Sequence, residues 1–587
     1  MIARVTLELA LRKEFDYLIP PELAEQVDVG SRVQVPFGAR KVLGCVTALA
    51  EESAHARLKP ILKVIGAQTL VTPKVLKLAR WIAEYYCCAP EIALKSVLPE
   101  AVRKEQSGWR ERLFVRALTF SGELPKLPKR QREIWNLIEE RREMPLQELL
   151  ELAETTAATL RRLEDKGLVS IATQISERDP YAREQILPTQ PLALNPAQAK
   201  ALEQIVAAMN RGEDGGWKME DGKRRPSSTF LLHGVTGSGK TEVYLQAIAH
   251  ALERGRGAIV LVPEISLTPQ TVERFKARFS SGPLQTLVAV LHSHLSAGER
   301  HDEWHKIRQG RARIAIGARS AIFAPVDPLG LIIVDEEHEH TYKQEEAPRY
   351  HARDVAIMRG QMEGATVVLG SATPSLESYY NCRKGKYTLL ELPERVDDQK
   401  MPHVRIVDMS QSARKDKGVP IFSPQLKEAI AQRLERGEQT ILFLNRRGYS
   451  SSLQCPLCGF VAECPNCSVS LTYHRHEQKL CCHICAHVAP VPAVCPNAKC
   501  RNPAIRYAGL GTQKVEATLA KLFPQARVVR MDSDVLKRKE DYRRILGDFR
   551  VGKIDILVGT QMIAKGLHLE GSQISVYAVK DRKAAYE

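Results

Sequence analysis

A phosphate-binding loop is the feature that most constrains what this chain can fold into. Residues 234–241 read GVTGSGKT; the apolar run 230–233 before them predicts a buried strand, and the spacing of residues 242–251 predicts a helix. A strand, a glycine-rich turn and a helix start direct backbone N–H groups at a triphosphate. The pattern therefore predicts a nucleotide site in an α/β domain. Its expected binding residues are Gly234, Val235, Thr236, Gly237, Ser238, Gly239, Lys240 and Thr241.

An acidic motif downstream supports the same site. Asp335 and Glu336 follow the apolar run 331–334, at the end of a predicted strand, where α/β sheets bind ligands. We expect Lys240 to reach the β- and γ-phosphates of ATP, and Thr241 and Asp335 to hold Mg²⁺. Glu336 would polarise the attacking water. The alternatives are a chance match of the loop pattern and a solvated acidic turn. The alternating strand and helix patterns between the two motifs favour an ATPase core with Lys240, Asp335 and Glu336 as catalytic residues.

Composition limits the class of protein and its surroundings. A chain of 587 residues predicts roughly three to five domains. The net charge of +16 suggests a polyanionic partner such as nucleic acid. The sequence has no apolar run long enough to span a bilayer, and its start lacks a signal-peptide pattern, so we expect a cytoplasmic protein without a membrane partner.

Nine of the thirteen cysteines fall within residues 455–500, which favours metal binding in a reducing compartment over disulfides. Eight of these nine form four pairs, three of the type Cys-x₂-Cys and one Cys-x₄-Cys, with Cys481 as a spare, and two pairs complete one tetrahedral Zn²⁺ site. The sequence therefore predicts two Cys₄ sites, while spacing alone leaves three ways of combining the pairs. A redox role is the alternative. The expected ligands are Cys455, Cys458, Cys464, Cys467, Cys482, Cys485, Cys495 and Cys500.

The pattern along the chain divides it into five parts. The predicted parts are a β-rich domain 1–105, a winged-helix domain with linkers 106–185, an ATP-binding lobe 190–395, a second α/β lobe 400–453 and 505–587, and a zinc-binding insertion 454–504 within that lobe. The winged helix is inferred from short amphipathic helices followed by a strand near Gly167. The expected fold class is thus multidomain α/β.

Several further polar motifs lie near predicted strands, and their order along the chain indicates more about function than any one of them alone. Gln198 lies upstream of the phosphate loop, where its amide could read the edge of adenine. Arg319, in the motif 317–320, and the motif 262–270 offer basic or hydroxyl groups to a phosphodiester backbone. The motif 370–374 could couple the nucleotide state to lobe movement. In this order they resemble the motifs of superfamily 2 helicases, which have two RecA-like lobes.

A narrower resemblance rests on several longer motifs. They are DEEH at 335–338, YKQE at 342–345, PRYHARDV at 348–355, FLNRRG at 443–448, the eight-cysteine insertion, and GLGTQ at 509–513. Residues 1–568 resemble the PriA family of replication-restart helicases in these motifs. The resemblance implies an ATP-dependent 3′–5′ DNA helicase that recognises stalled or repaired forks and initiates primosome assembly. The implied cofactors are ATP, Mg²⁺ and two Zn²⁺.

The resemblance also implies partners and residue roles. The partners would be branched and single-stranded DNA, primosome and helicase-loading proteins and single-stranded DNA-binding protein, and the protein would associate with the nucleoid. Residues 1–105 would bind a DNA 3′ end, with Asp16 as the contact to its terminal hydroxyl, although Phe15 and Tyr17 beside it could equally be core aromatics. In the family, the two outer cysteine pairs share one zinc and the two inner pairs share the other. The outer pairs here are Cys455, Cys458, Cys495 and Cys500, and the inner pairs are Cys464, Cys467, Cys482 and Cys485.

Two departures from the family pattern stand out. The last pair, Cys495 and Cys500, is longer than the usual Cys-x₂-Cys. After His568 the pattern ends, so we expect the family's arginine-bearing motif VI and C-terminal domain to be missing and the second lobe to be incomplete. That expectation favours the alternative of a fork-binding platform without motor activity. A translocase of restriction or repair systems is disfavoured by the two-zinc insertion.

Overall fold

A computed structural model of the chain divides into two compact units, Met1–Gln399 and Lys400–Glu587. It describes all residues except 10–12, 56, 66–70, 99–109, 119–126, 142, 154, 177–185, 212–227, 264–268, 280–284, 294, 397–403, 408–420, 445–451, 456–457, 459, 475–478, 483–484, 504–505, 509–511, 532–538, 560–562, 564–573 and 580–587. Among the described residues, no helix combines the length and the apolar character needed to cross a bilayer.

The first unit begins with a five-stranded antiparallel sheet, as the β-rich pattern predicts. Its strands are β1 (Ile2–Leu7), β2 (Phe15–Leu18), β3 (Arg32–Phe37), β4 (Arg40–Ala50) and β5 (Lys63–Ile65), in the order β2-β1-β4-β3-β5. Buried side chains such as Val5, Tyr17 and Val33 form its core. Helices α1 (Pro73–Tyr85) and α2 (Pro90–Val97) follow. Their buried faces belong to a hydrophobic cluster that includes residues of the ATP-binding lobe.

A small α/β module comes next. Its elements are β6 (Arg110–Ala117), α3 (Lys129–Arg141), β7 (Glu143–Pro145), α4 (Leu146–Leu152), α5 (Ala157–Asp165) and β8 (Val169–Ser176). The three strands form an antiparallel sheet in the order β7-β6-β8 around a core that contains Trp135 and Leu160. Three helices and a three-stranded sheet are the elements that a winged helix requires, and that assignment stays a prediction.

The ATP-binding lobe is built on a seven-stranded parallel sheet. Its strands are β9 (Thr229–Gly234), β10 (Gly257–Leu261), β11 (Leu287–Leu291), β12 (Ala312–Gly317), β13 (Leu329–Val334), β14 (Thr366–Ser371) and β15 (Thr388–Leu392), in the order β11-β12-β10-β13-β14-β9-β15. The helices are α6 (Pro196–Arg211), α7 (Lys240–Glu253), α8 (Pro269–Phe279), α9 (Ala297–Arg308), α10 (Ala352–Glu363) and α11 (Leu376–Arg383).

Both faces of this sheet are covered, which explains its near-continuous apolar strands. Strand β13 is buried at every residue. Its side chains alternate between two hydrophobic clusters, with Ile332 in one and Ile333 in the other. Because all seven strands are parallel, their carboxyl ends meet at one edge. The phosphate loop follows β9, and the acidic motif follows β13, two strands away.

The second unit contains a four-stranded parallel sheet. Its strands are β16 (Gln439–Leu444), β22 (Val528–Met531), β23 (Ile556–Gly559) and β24 (Ile574–Val579), in the order β22-β23-β16-β24, and its helices are α12 (Pro424–Glu435), α13 (Thr512–Leu522) and α14 (Lys539–Arg550). Strand β24 lies beyond His568, where the sequence motifs end, and it pairs in parallel with β16. Residues past the last recognisable motif therefore still contribute to this sheet.

The cysteine-rich insertion forms its own small antiparallel sheet. Its strands are β17 (Ser452–Gln454), β18 (Thr472–His474), β19 (Lys479–Cys481), β20 (Val488–Pro490) and β21 (Arg506–Ala508), in the order β20-β19-β18-β17-β21. Buried residues in it include Leu453, Leu471 and Leu480 as well as four of the cysteines. With so few apolar residues in its core, metal coordination is the expected source of its stability.

Candidate active site, zinc centres and DNA-end site

The phosphate loop connects the end of β9 to the first residue of α7. Lys240 begins this helix, and its ammonium group donates hydrogen bonds to the carbonyls of Gly234 at 2.7 Å and Val235 at 3.4 Å. Gly237 and Gly239 have φ angles of +83° and +76°, which side chains rarely adopt. Burial lowers the pKa of Lys240, and the carboxylates of the acidic motif oppose that shift. The predicted loop residues thus lie together around a half-buried cation.

The loop fits the phosphates of a nucleotide. The Ser238 hydroxyl is buried, and among the described residues it has no hydrogen-bond partner. Helix α7 begins at the same loop, and the N-terminus of a helix carries partial positive charge that attracts anions. A buried hydroxyl, a helix N-terminus and a lysine within one turn form a donor set that matches phosphate oxygens. The resemblance of this lobe to superfamily 2 helicases implies ATP and Mg²⁺ as its cofactors, and the donor set fits them.

Gln198 lies beneath the loop. Its side-chain N–H donates to the carbonyl of Ser238 at 2.8 Å, and its side-chain oxygen accepts from the N–H of Asn195 at 2.9 Å. A Cβ atom on Gly239 would lie 2.3 Å from this amide nitrogen, so the contact requires glycine there. Gln198 therefore supports the loop directly, which the sequence did not predict. Its contact with adenine stays a prediction.

Two tyrosines hold the first acidic residue. The Tyr244 hydroxyl donates to the carboxylate of Asp335 at 3.1 Å, and the Tyr342 hydroxyl donates to the Asp335 carbonyl at 2.6 Å. Burial raises the pKa of Asp335 to about 6; the charge of Glu336 adds to this rise, and Lys240 opposes it. The charges of Asp335 and Glu336 both act to raise the pKa of Lys240, as expected when the structure brings the three predicted catalytic residues together.

The third acidic residue of the motif has a different environment, which sequence reasoning missed. Glu337 is fully buried, and its carboxylate accepts hydrogen bonds from the Ser375 N–H at 2.7 Å, the Ser378 hydroxyl at 2.8 Å and the Arg353 guanidinium at 3.0 Å. Next to it, the His338 ring and the Ser371 hydroxyl are 2.8 Å apart. These contacts join the acidic motif to the motif after β14. A buried strand followed by four consecutive polar residues was the available signal.

Arg319 lies in a 3-10 helix, Arg319–Phe323, that follows β12. Its guanidinium donates to the carbonyls of Thr341 at 3.3 Å and Lys343 at 2.7 Å. Arg319 therefore ties this helix to the segment after the acidic motif. The structure does not place it with the phosphate-loop residues, and its contact with DNA stays a prediction.

The cysteines form two groups of four. One group contains Cys455, Cys458, Cys495 and Cys500, the other contains Cys464, Cys467, Cys482 and Cys485, and within each group the sulfur atoms lie within 4.8 Å of one another. Neighbouring sulfurs are 3.5 to 3.7 Å apart. A tetrahedral site with Zn–S bonds of about 2.3 Å requires sulfurs about 3.8 Å apart.

Both groups therefore fit a zinc ion. The outer pairs form one group and the inner pairs form the other, as the family resemblance implies. The longer spacing of the last pair does not keep Cys500 out of its group. Side-chain amides complete the surroundings, with Asn502 donating to the Cys455 sulfur at 3.7 Å and Asn466 to the Cys485 sulfur at 3.8 Å. Such donors orient and stabilise thiolate ligands.

Asp16 is on β2, opposite Arg4 of β1. Its carboxylate accepts from the Arg4 guanidinium at 3.1 Å and from the Ser53 hydroxyl at 2.7 Å. Although burial opposes the shift, these two hydrogen bonds hold the pKa of Asp16 below its usual value. The neighbouring Tyr17 is 4% exposed within the core, as the alternative interpretation expected, and Phe15 packs edge-to-face on Phe37. The contact of Asp16 with a 3′ hydroxyl stays a prediction.

Family comparisons define the class of protein. Residues 195–381 match the family model described as DEAD/DEAH box helicase, which covers the phosphate loop, the acidic motif and the motif after β14. In addition, the "Crystal structure of Pyrococcus furiosus Hef helicase domain" is 14% identical with a TM-score of 0.34, covering 67% of this chain and 92% of that chain. The class of the ATP-binding lobe rests on the family model alone, whose match over residues 195–381 makes it a DEAD/DEAH helicase lobe.

Two further matches are specific to one family. Residues 4–99 match the 3'DNA-binding domain of PriA, and residues 464–490 match the PriA DNA helicase Cys-rich region domain. Curated proteins called replication restart protein PriA align along nearly the whole chain. That of Bacillus subtilis (strain 168) is 41% identical over 94% of this chain and 75% of its own length.

Relatives from other organisms agree. The protein of Chlamydia pneumoniae is 36% identical over 98% of this chain and 75% of its own length, and that of Haemophilus influenzae is 36% identical over 97% and 75%. The chain belongs to the PriA family of replication restart proteins.

Proposed function

We propose that this protein is an ATP-dependent 3′–5′ DNA helicase of replication restart, which recognises stalled or repaired forks and initiates primosome assembly. One observation carries the proposal. A nucleotide site at the carboxyl edge of a parallel sheet shares its compact unit with a segment that matches a 3′ DNA-binding domain. ATP hydrolysis and DNA binding in one unit are the two requirements of a motor that acts at a DNA end.

The roles in hydrolysis follow from the geometry. Lys240 would exchange its two carbonyl hydrogen bonds for contacts with the β- and γ-phosphates. Thr241 and Asp335 would hold Mg²⁺, which supplies positive charge to the phosphate oxygens. Tyr244 and Tyr342 would keep Asp335 in place. Glu336, the next residue, would orient the attacking water and accept its proton.

DNA binding is assigned to several parts of the chain. Residues 4–99 would capture the 3′ end, with Asp16 accepting a hydrogen bond from its terminal hydroxyl. The module from β6 to β8 would be a winged helix that contacts duplex DNA. Arg319 would contact the backbone of the translocating strand. The net charge of +16 supports a polyanionic partner.

The two zinc ions would stabilise the small sheet of the insertion, which we assign to strand separation and to the recruitment of partners. Those partners would be primosome proteins, proteins that load the replicative helicase, and single-stranded DNA-binding protein. A protein with these partners would act in the cytoplasm, on the nucleoid.

Unwinding of a model fork tests the proposal. A fork with a labelled strand should lose that strand when ATP and Mg²⁺ are present, with 3′–5′ polarity on partial duplexes, and the Lys240→Ala variant should bind the fork without unwinding it. A protein that binds forks but does not hydrolyse ATP would instead be a platform without motor activity. The comparisons do not favour this alternative. The helicase match covers the nucleotide site, and the PriA relatives align over as much as 98% of this chain.

A further inference from the structure

The segment after β15 lies directly against the phosphate loop. Strand β15 runs parallel to β9, with Leu392 opposite Gly234. The N–H of Val235 donates to the Leu392 carbonyl at 3.2 Å, and the N–H of Val396 donates to the Gly237 carbonyl at 3.0 Å. Residues 392–396 are therefore hydrogen-bonded to the loop at both ends, and the side chains between these contacts are held beside it.

One of those side chains is the cation Arg395. A Cβ atom on Gly237 would lie 3.0 Å from the Nε atom of Arg395, 3.3 Å from Nη2 and 3.4 Å from Cζ. The guanidinium group thus packs on the backbone of the loop at a residue whose φ of +83° already favours glycine. The conformation of Gly237 strains any side chain there, and a Cβ atom would also crowd the Arg395 guanidinium.

The position suits a phosphate ligand. The loop holds the Lys240 ammonium, and a bound triphosphate would bring more negative charge than this one lysine neutralises. A guanidinium keeps its charge when it is partly desolvated, and its planar set of N–H donors matches phosphate oxygens in a way that an ammonium group does not. Arg395 is half-buried, so the charge lies at the mouth of the site rather than in bulk water.

We propose that Arg395 is a nucleotide-binding residue whose guanidinium contacts the phosphates of ATP in the loop. The proposal rests on the nucleotide site proposed above. It assigns a ligand-binding role to a residue outside the helicase-model match, which ends at residue 381. It also explains why the chain returns to the loop after β15: the backbone contacts at 392 and 396 hold the arginine in reach of the phosphates.

Calorimetric titration of the full chain with AMP-PNP and Mg²⁺ measures the contribution. Arg395→Ala should weaken AMP-PNP binding by about tenfold or more, which corresponds to about 1.4 kcal/mol. Arg395→Lys should recover part of the loss, because it keeps the charge without the planar donors. Arg132→Ala, which removes an exposed arginine from α3, is the matched control and should bind as the unaltered protein does.

A second ligand distinguishes a phosphate contact from a contact with the base or ribose. Inorganic tripolyphosphate, titrated as a competitor of a fluorescent ATP analogue, should lose affinity for Arg395→Ala by a factor similar to that of AMP-PNP. Unchanged tripolyphosphate affinity, or unchanged AMP-PNP affinity in both Arg395 variants, would overturn the proposal. Lys240→Ala separates the two levels: if it binds AMP-PNP normally, the nucleotide site itself is wrong, whereas loss in Lys240→Ala alone refutes only the role of Arg395.

Discussion

The buried ion pair between Glu337 and Arg353 allows a quantitative prediction. The carboxylate of Glu337 is fully buried, and Arg353 is its one cationic partner among the described residues. Replacing Arg353 by Met keeps most of the side-chain volume and leaves a buried carboxylate without its countercharge. Breaking such a pair costs about 3–5 kcal/mol. Because the hydrogen bonds from Ser375 and Ser378 remain, we expect the lower end of that range, about 3 kcal/mol.

Differential scanning calorimetry of the full chain can measure this loss. With an unfolding entropy of about 2.1 cal/mol/K per residue, the unit Met1–Gln399 loses about 1.2 °C of midpoint for each kcal/mol, so Arg353→Met should lower it by about 4 °C. The affected transition is identified by its upward shift with AMP-PNP, because a ligand stabilises the unit that binds it. Arg349→Met, in the same segment but exposed, is the matched control and should change stability by no more than about 0.5 kcal/mol.

The combination with Glu337→Gln tests the cause of the loss. If Arg353 stabilises the lobe by neutralising Glu337, removing that charge should make Arg353→Met less costly, and the double variant should be more stable than the sum of the single losses indicates. Additive losses would refute the ion-pair reasoning and would assign the stability of this site to the serine hydrogen bonds and to packing.

Three other perturbations have expected outcomes. Cys464→Ser should lower the zinc content from two ions per chain to one by elemental analysis, because the two groups are separate; loss of both would mean a coupled site. Asp16→Ala should weaken binding to forks with a free 3′ hydroxyl by about 1.5–3 kcal/mol, and 3′-phosphorylated forks should be unaffected; equal losses would make Asp16 structural. Gly239→Ala should abolish AMP-PNP binding in calorimetry, because its Cβ would meet Gln198 at 2.3 Å; normal binding would refute that steric requirement.

Much of the candidate site could be predicted because its signals are local. The order of strand, glycine-rich turn and helix around Lys240 is contained in a short stretch of sequence. The rule that parallel strands present ligands at their carboxyl ends then places Asp335 at the same edge. Neither inference needs knowledge of which distant residues touch, and in the structure β9 and β13 both end at that edge.

The partners of the buried polar groups could not be predicted in the same way. Glu337 and Ser378 are hydrogen-bonded across 41 positions of sequence, and Gln198 and Ser238 across 40. Hydrophobic periodicity indicates which face of an element is buried, but it carries no information about which polar atoms meet there. The grouping of the cysteine pairs could not be predicted for the same reason. Spacing alone fits three groupings, and it is the fold of the insertion that brings Cys464 to Cys485.

The boundary between the 3′-end-binding segment and the ATP-binding lobe shows a further limit of sequence patterns. From the sequence pattern, the apolar face of helix α1 is expected to pack within its own small domain. In the structure that face packs on α10 of the ATP-binding lobe. Polar contacts follow the same junction: Lys74 pairs with Asp327 at 2.7 Å, and the Tyr86 hydroxyl accepts from the His351 N–H at 3.1 Å. Since His351 caps α10, the helix that carries Arg353, the segment that would hold a DNA 3′ end is packed against the element that supports the acidic motif.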